Sequence, residues 1–294
     1  MLRQHALVHV TIKLPTDAQG NKLVWPLDDP GATEVTLSRS TPTILNVAMT
    51  APYQWDGRFA TLQDQALGAL VGHAQIQRSP NPRFLDDVAA FEQTQFSSFG
   101  AAAVSRAIAH GQPPPDPDPP LDALEAQGKA LFQHHCVVCH GGPTQTQPDP
   151  AVSAFVAAAG AVFQDIFISQ PLPPFAAGLP FGTPPPLPVR LWAVRVPNQP
   201  NPVVRPSTDP GKALISGSIG DFQAFEVPAL FGVSRTAPYF HDNSAPALED
   251  VVVHYQSLFL AFRRVIPPTV PFPFRPDVLA DEDVPALLAY LRKI

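Results

Sequence analysis

The chain has only two cysteines, Cys136 and Cys139, separated by two residues within HHCVVCHGG (134–142), and His140 directly follows the second. Thiols at this spacing serve three chemistries. A dithiol redox site depends on a thiolate at the N-terminus of a helix that follows a strand, whereas these cysteines close a stretch of helical spacing. A structural zinc ion wants four ligands, typically a second Cys or His pair at short spacing. No second cysteine pair exists, and His134 and His135 have no partner pair downstream. The third chemistry is covalent attachment of haem c. Two thiols one helical turn apart add to the two vinyl groups, and the adjacent imidazole becomes an axial iron ligand. The pattern favours this third reading, with Cys136 and Cys139 as anchors and His140 as the proximal ligand. Gly128 would let the preceding helix approach a neighbour closely, and Phe132, four residues on, lies on the same face.

The elements that must position this motif are mostly helical. Apolar spacing of helical period marks residues 61–73, 84–94, 121–136, 247–262 and 281–294. Strand-like alternation is scarce outside residues 5–12, so the expected class is mainly α. The chain carries 38 prolines in 294 residues, over twice the usual ~5%, so long proline-rich loops are expected. QPPPDPDPP (112–120) cannot continue a helix and is expected to be a stiff, solvated connector. It divides the chain into an N-terminal domain (1–114) and a C-terminal haem-binding domain (115–294).

A formal charge of −6 provides no basic field for nucleic acid or an anionic membrane surface. No run approaches the roughly 18 apolar residues of a spanning helix. The first residues lack the apolar centre and cleavage site of a secretion signal. Covalent haem attachment nevertheless implies the periplasm, so the start of the chain is expected to be truncated or trimmed.

An ungapped internal repeat organises the chain. At an offset of 186, PTILNVAMTAPYQWDGRFATLQD (42–64) lies over PALFGVSRTAPYFHDNSAPALED (228–250), sharing TAPY and aligning Asp56 with Asp242, Leu62 with Leu248 and Asp64 with Asp250. Two related halves are expected, each a loop followed by a helix.

With these motifs together, the chain resembles the bacterial di-haem cytochrome c peroxidases and their relatives that mature methylamine dehydrogenase. The match runs from about Arg39 to the C-terminus, through RSTPTILN, WDGRFATLQDQALG, GKALFQHHCVVCHGG and VPALFGVSRTAPYFHDNSAPALEDVVVHY. The resemblance implies two cytochrome c-like domains. In that family each carries a haem, and the first Cys-x-x-Cys-His precedes the segment matching STPTILN. This sequence has only the second motif, and 34–39 read EVTLSR where a distal histidine is expected.

The resemblance also implies site residues. Trp55 matches a tryptophan that relays electrons between the haems, and Gln65 a glutamine of the peroxide pocket. Gln75 stands where the family keeps a catalytic glutamate, and an amide cannot shuttle a proton as a carboxylate does. Asn46, Thr236 and Pro238 match a calcium site completed by waters. Tyr255, fourteen residues after His241, is the expected distal haem ligand, with His254 its rival; a phenolate oxygen favours ferric iron. His241 and Arg235 are expected near the propionates, with Arg190, Arg195 and Arg205 as alternatives. His5, His9, His73, His110, His134 and His135 are expected to have no metal role. The implied function is single-electron transfer by one haem c, with a small redox protein as partner. Peroxidase activity on hydrogen peroxide is expected if an upstream haem segment exists, an electron carrier or scaffold otherwise. A homodimer is carried as an expectation.

Overall fold

The computed structural model describes residues 6–147, 187–272 and 275–294. His5, most of the proline cluster at 171–191 and part of that at 266–276 lie outside them. Strand β1 (Leu7–Lys13) pairs antiparallel with β3 (Glu34–Ser40), Leu7 facing Ser40 and Lys13 facing Glu34. A second antiparallel sheet has the order β2 (Val24–Pro26), β4 (Arg190–Val194), β5 (Val203–Ser207). One core fills the space between them: Val10 and Ile12 from β1, Val35 and Leu37 from β3, Val24, Trp192 and Val194 from the second sheet, and Leu214 and Phe222 beyond. Here β2 of the first 114 residues pairs directly with β4 of the remainder.

The mainly α expectation therefore needs amending. Three of the strands escape period-two reading for physical reasons. β2 is three residues long, and β5 carries Pro206, tolerated because β5 is an edge strand. In β3 the inward series runs Val35, Leu37, Arg39, so a charge occupies a core position.

Arg39 is 1% exposed and is held by two carboxylates. Its Nε and one terminal nitrogen donate to Asp209 at 2.6 and 2.9 Å, and the other donates to Asp56 at 2.5 Å. Arg58 closes the network on Asp56 at 2.8 Å. Burial alone would raise the Asp209 pKa, but Arg39, seconded by His241 and the Gly211 N–H, holds it below the usual carboxylate range.

Seven helices lie among the described residues. In the first half α1 (Leu62–Gly72), α2 (Pro82–Glu92) and α3 (Phe99–Ala109) are N-capped by Thr61, Asn81 and Ser98, whose side chains accept from the N–H of Asp64, Arg83 and Ala101. α3 is absent from the expected set because its face is built from small residues, Ala101, Val104 and Ala107. α4 (Ala123–His135) starts at a capping box between Asp122 and Glu125 and ends on Cys136. The short α5 (Ala213–Ser216) is followed by α6 (Leu248–Val265) and α7 (Val284–Lys293).

α4 crosses α7 at Gly128, where a Cβ would lie 2.0 Å from the Ala286 carbonyl oxygen. One turn later Phe132 meets Tyr290, ring centroids 5.4 Å apart. The proline connector is pinned across this crossing rather than free in solvent. Lys129 bridges Asp116 and Asp118 at 2.8 Å each, and the Tyr290 hydroxyl donates to Asp118.

The repeat is a repeat of backbone conformation. Asn46 (φ 64°) and Gly232 (φ 74°) each open a 3-10 turn in the left-handed region. Ala51-Pro52 and Ala237-Pro238 are both cis, and Gln54 matches Phe240, and Gly57 Asn243, in positive φ. The bridges Tyr53↔Phe59 and Tyr239↔Ala245 close equivalent loops, and α1 and α6 leave them at Leu62 and Leu248.

Two outcomes test this packing. Asp209→Asn removes one of the two carboxylates that neutralise buried Arg39, leaving Asp56, and should destabilise the fold by about 1–3 kcal/mol in denaturant unfolding. A carboxylate with a depressed folded pKa stabilises above its unfolded value of about 3.9 and loses that contribution as pH falls through the folded value, so the variant should lose less stability than the parent below about pH 4. Gly128→Ala would raise helix propensity by about 1 kcal/mol in an open helix. At this crossing it should instead lower the melting temperature, and a rise would mean the helices are not in backbone contact.

Candidate haem-attachment site

The motif begins where α4 ends. The Cys136 carbonyl accepts from the N–H groups of Cys139 (3.1 Å) and His140 (2.8 Å), so the helical turn continues through the pair and brings both thiols to one side. They form no disulfide, Cys139 being the more exposed. Burial, reinforced by Cys139, pushes the Cys136 thiol up to about 12, and burial raises Cys139 as well. Both are thiols at neutral pH, the opposite of the thiolate a redox pair uses. No cluster of three His, Cys, Asp or Glu suited to a metal occurs among the described residues.

His140 is 8% exposed. Its Nδ1 lies 3.2 Å from the Gln145 carbonyl and 3.1 Å from the Pro228 carbonyl. Both partners are acceptors, so Nδ1 carries the proton and Nε2 keeps its lone pair. Burial holds the imidazole below its ordinary pKa against the opposing pull of these carbonyls, so the ring is neutral. Gly141 and Gly142 make this clamp. A Cβ on Gly141 would meet the Val137 and Gln147 carbonyls at 2.7 and 2.8 Å, and Gly142 has φ 70°. The turn they allow returns Gln145 to His140, and Gln145 in turn accepts from the Leu230 N–H at 3.1 Å.

Tyr255 of α6 packs in the same core as Cys136. Its pKa is raised by burial and by the nearby Cys139 and Cys136. His254 makes an edge contact with Tyr255 at 5.4 Å and packs on Phe240 at 4.7 Å; burial lowers it to about 4. The residues fit a covalent haem: two adjacent thiols, a neutral imidazole with a free Nε2, and a partly buried phenol beside them.

The remaining expected residues lie elsewhere. Trp55 donates from its indole to the Ser40 carbonyl at 3.0 Å, while the Ser40 N–H donates to the His241 carbonyl at 2.6 Å. Trp55 and His241 are equivalent positions of the repeat, tied through one residue of β3. His241 stacks on Phe225 at 3.9 Å. Gln65 is half-buried on α1, whereas Gln75 is exposed beyond its end at φ 51°. Asn46 receives the Ser97 N–H on Oδ1 (3.0 Å) and donates to Phe231 O (2.9 Å). Arg235 donates to the Ser97 carbonyl, and Thr236 turns its hydroxyl to Val233 O. Arg190 pairs with Asp28, and Arg195 lies over Trp25. Gln145 and Pro228, which hold His140, were not among the expected residues. Pro228 could have been found as the repeat partner of Pro42.

The residue types and the local geometry here fit what covalent haem c attachment requires. A family model described as di-haem cytochrome c peroxidase matches residues 18–110. The chain is 24% identical over 237 residues to the cytochrome c551 peroxidase of Pseudomonas aeruginosa, covering 73% of this chain and 56% of that protein. It is 26% identical over 251 residues to the methylamine utilization protein MauG of Methylophilus methylotrophus, covering 77% and 60%. It thus spans less than two thirds of the length of these relatives. Among solved structures it is similar to a MauG-like protein associated with microbial copper homeostasis, with a TM-score of 0.49 and 18% identity over 95% of this chain and 76% of that one. The chain thus resembles the di-haem cytochrome c peroxidases and MauG proteins in sequence.

In the haem-free protein, Cys136 should alkylate far more slowly at pH 8 than a free thiol, with a rate still climbing at pH 10. A rate that levels off below pH 9 would show a thiolate-stabilising site instead.

Proposed function

We propose that this chain binds one haem c through Cys136, Cys139 and His140 and transfers single electrons. The observation that carries the reading is the neutral, doubly anchored His140 beside two protonated thiols. When bound, haem c supplies an iron that takes up and gives back one electron, at a potential set by its axial ligands and burial. The protein's own part is to fix the imidazole through Gln145 and Pro228 and to keep water out with the core around Phe132 and Tyr255; His140 would hold the iron, and Tyr255 would be available to it as a second ligand. A cation at the phenol oxygen would reverse the pKa rise that burial imposes there.

Haem attachment of this kind supports a periplasmic setting and a small redox protein as partner; no helix among the described residues is long and apolar enough to cross a membrane. Peroxide reduction is the second reading, favoured by the relatives' names and by the tie from Trp55 through Ser40 to His241. Against it stands the exposed amide of Gln75. Calcium at Asn46, Thr236 and Pro238 would have to share the Asn46 oxygen with Ser97.

The test is a pyridine haemochrome count with intact-mass measurement on protein matured with haem. One haem per chain, lost in Cys136→Ser/Cys139→Ser, is expected; none would end the reading. Peroxide added to the ferric form should leave the spectrum unchanged if the chain is a carrier, whereas turnover with an electron donor would establish the peroxidase reading. Tyr255→Phe should alter the ferric spectrum, and an unaltered one would remove Tyr255 as a ligand.

A further inference from the structure

A continuous series of aromatic rings runs from the surface to the attachment site and past it. Phe272, 42% exposed, stacks on His134 with centroids 4.6 Å apart and planes at 6°. His134 meets His135 at 4.7 Å, and His135 stacks on Phe259 at 5.9 Å. Phe259 meets Tyr255 at 6.1 Å, and His254 and Phe240 continue the series at 5.4 and 4.7 Å. The two histidines directly precede Cys136. No catalytic or ligand role has been assigned to them.

His135 is the informative member. Its Nδ1 is buried with no hydrogen-bond partner among the described residues, an arrangement that costs stability. A leucine between Phe259 and the end of α4 would pack without that cost. The stack around it is ordered from both sides. His134 is held by Asp277 at 3.2 Å, and Asp277 by Arg263 at 3.0 Å. Burial keeps His135 below its ordinary pKa, so an uncharged ring lies between the surface and the core.

We infer that the His134–Phe272 face is the electron port of this protein, and that His135 and Phe259 carry the coupling from it to Tyr255 and the haem. This rests on the haem c reading. A reduced one-electron donor at the port loses one electron, the ferric iron gains it and becomes ferrous, and the rings change neither bonds nor protons. The rings act as positioned, tightly packed matter through which the electron tunnels, in place of a gap or water.

The experiment attaches a ruthenium bis(bipyridine) photosensitiser to His134, which is half exposed, in haem-loaded protein in which His5 and the other exposed histidines among the described residues, His9, His73 and His110, are replaced by glutamine. Electron injection after a flash is timed by haem absorbance. His135→Leu and Phe259→Leu should each slow it several-fold while the haem count, the ferric spectrum and the midpoint potential stay those of the parent. A label on His73 instead of His134 should be slower than the parent. Equal rates in the parent and both leucine variants would overturn the port, because the electron would then be travelling by the covalent route through Cys136. Absence of haem in the parent would instead defeat the haem reading, so the two failures are distinguishable.

Discussion

The close approach of α4 and α7 at Gly128 is the contact on which the site depends. With no side chain at that position, the α4 backbone lies against the Ala286 carbonyl, and the Phe132–Tyr290 contact follows one turn later. That fixes the end of α4 and therefore the direction in which Cys136, Cys139 and His140 leave it. A larger residue would push the helices apart and move the whole motif away from α6, which brings Tyr255. Tyr290 and Lys129 use the same crossing to hold Asp118 and Asp116, so the proline connector is fastened to the structure that orients the cysteines.

The second constraint joins the repeated loops. Ser40 ends β3 and takes part in hydrogen bonds with both Trp55 and His241, while Arg39, its neighbour, is buried between Asp56 of one loop and Asp209. A buried ion network is weak evidence for stability in itself, since apolar replacements often do as well. Its consequence here is geometric. Arg39 can satisfy both carboxylates only in one relative placement of β3, the first loop and the 207–211 turn, and that placement sets Trp55 against the second loop.

How much of this was legible follows the same physics. The haem motif, Gly128 and the repeat were readable because each is a local pattern with a fixed spacing, and the helices bearing the site have long apolar faces. The β-sheet was hidden because its strands are short, contain Pro206, or place Arg39 where an apolar residue would mark the inward face. α3 was hidden because an alanine face carries little periodic signal. The clamp on His140 was hidden because Gln145 and Pro228 act through backbone carbonyls, which any residue possesses. The ring series was hidden because its members come from α4, α6 and the 272 loop, and only folding brings them together.

The two halves use their shared loop differently, and this bears on which activity the chain supports. In the second half the loop leads into α6, whose inner face joins a core of ten buried residues with Cys136 and Tyr255 packed on it. In the first half the same loop leads into α1, and the core recorded there is Val47, Leu62 and Ala89 with Tyr53 alongside. Phe84 and Phe91 on α2 stay 49% and 60% exposed. Catalysis in the first half would need a proton-shuttling group held in a dry pocket, whereas Gln75 is an exposed amide. The second half has the features the proposed electron transfer would draw on: a fixed imidazole at His140, two adjacent thiols and rings packed to the surface. The larger core thus lies on the side of Cys136 and Tyr255, and the first half is tied to it through Trp55 and Arg39.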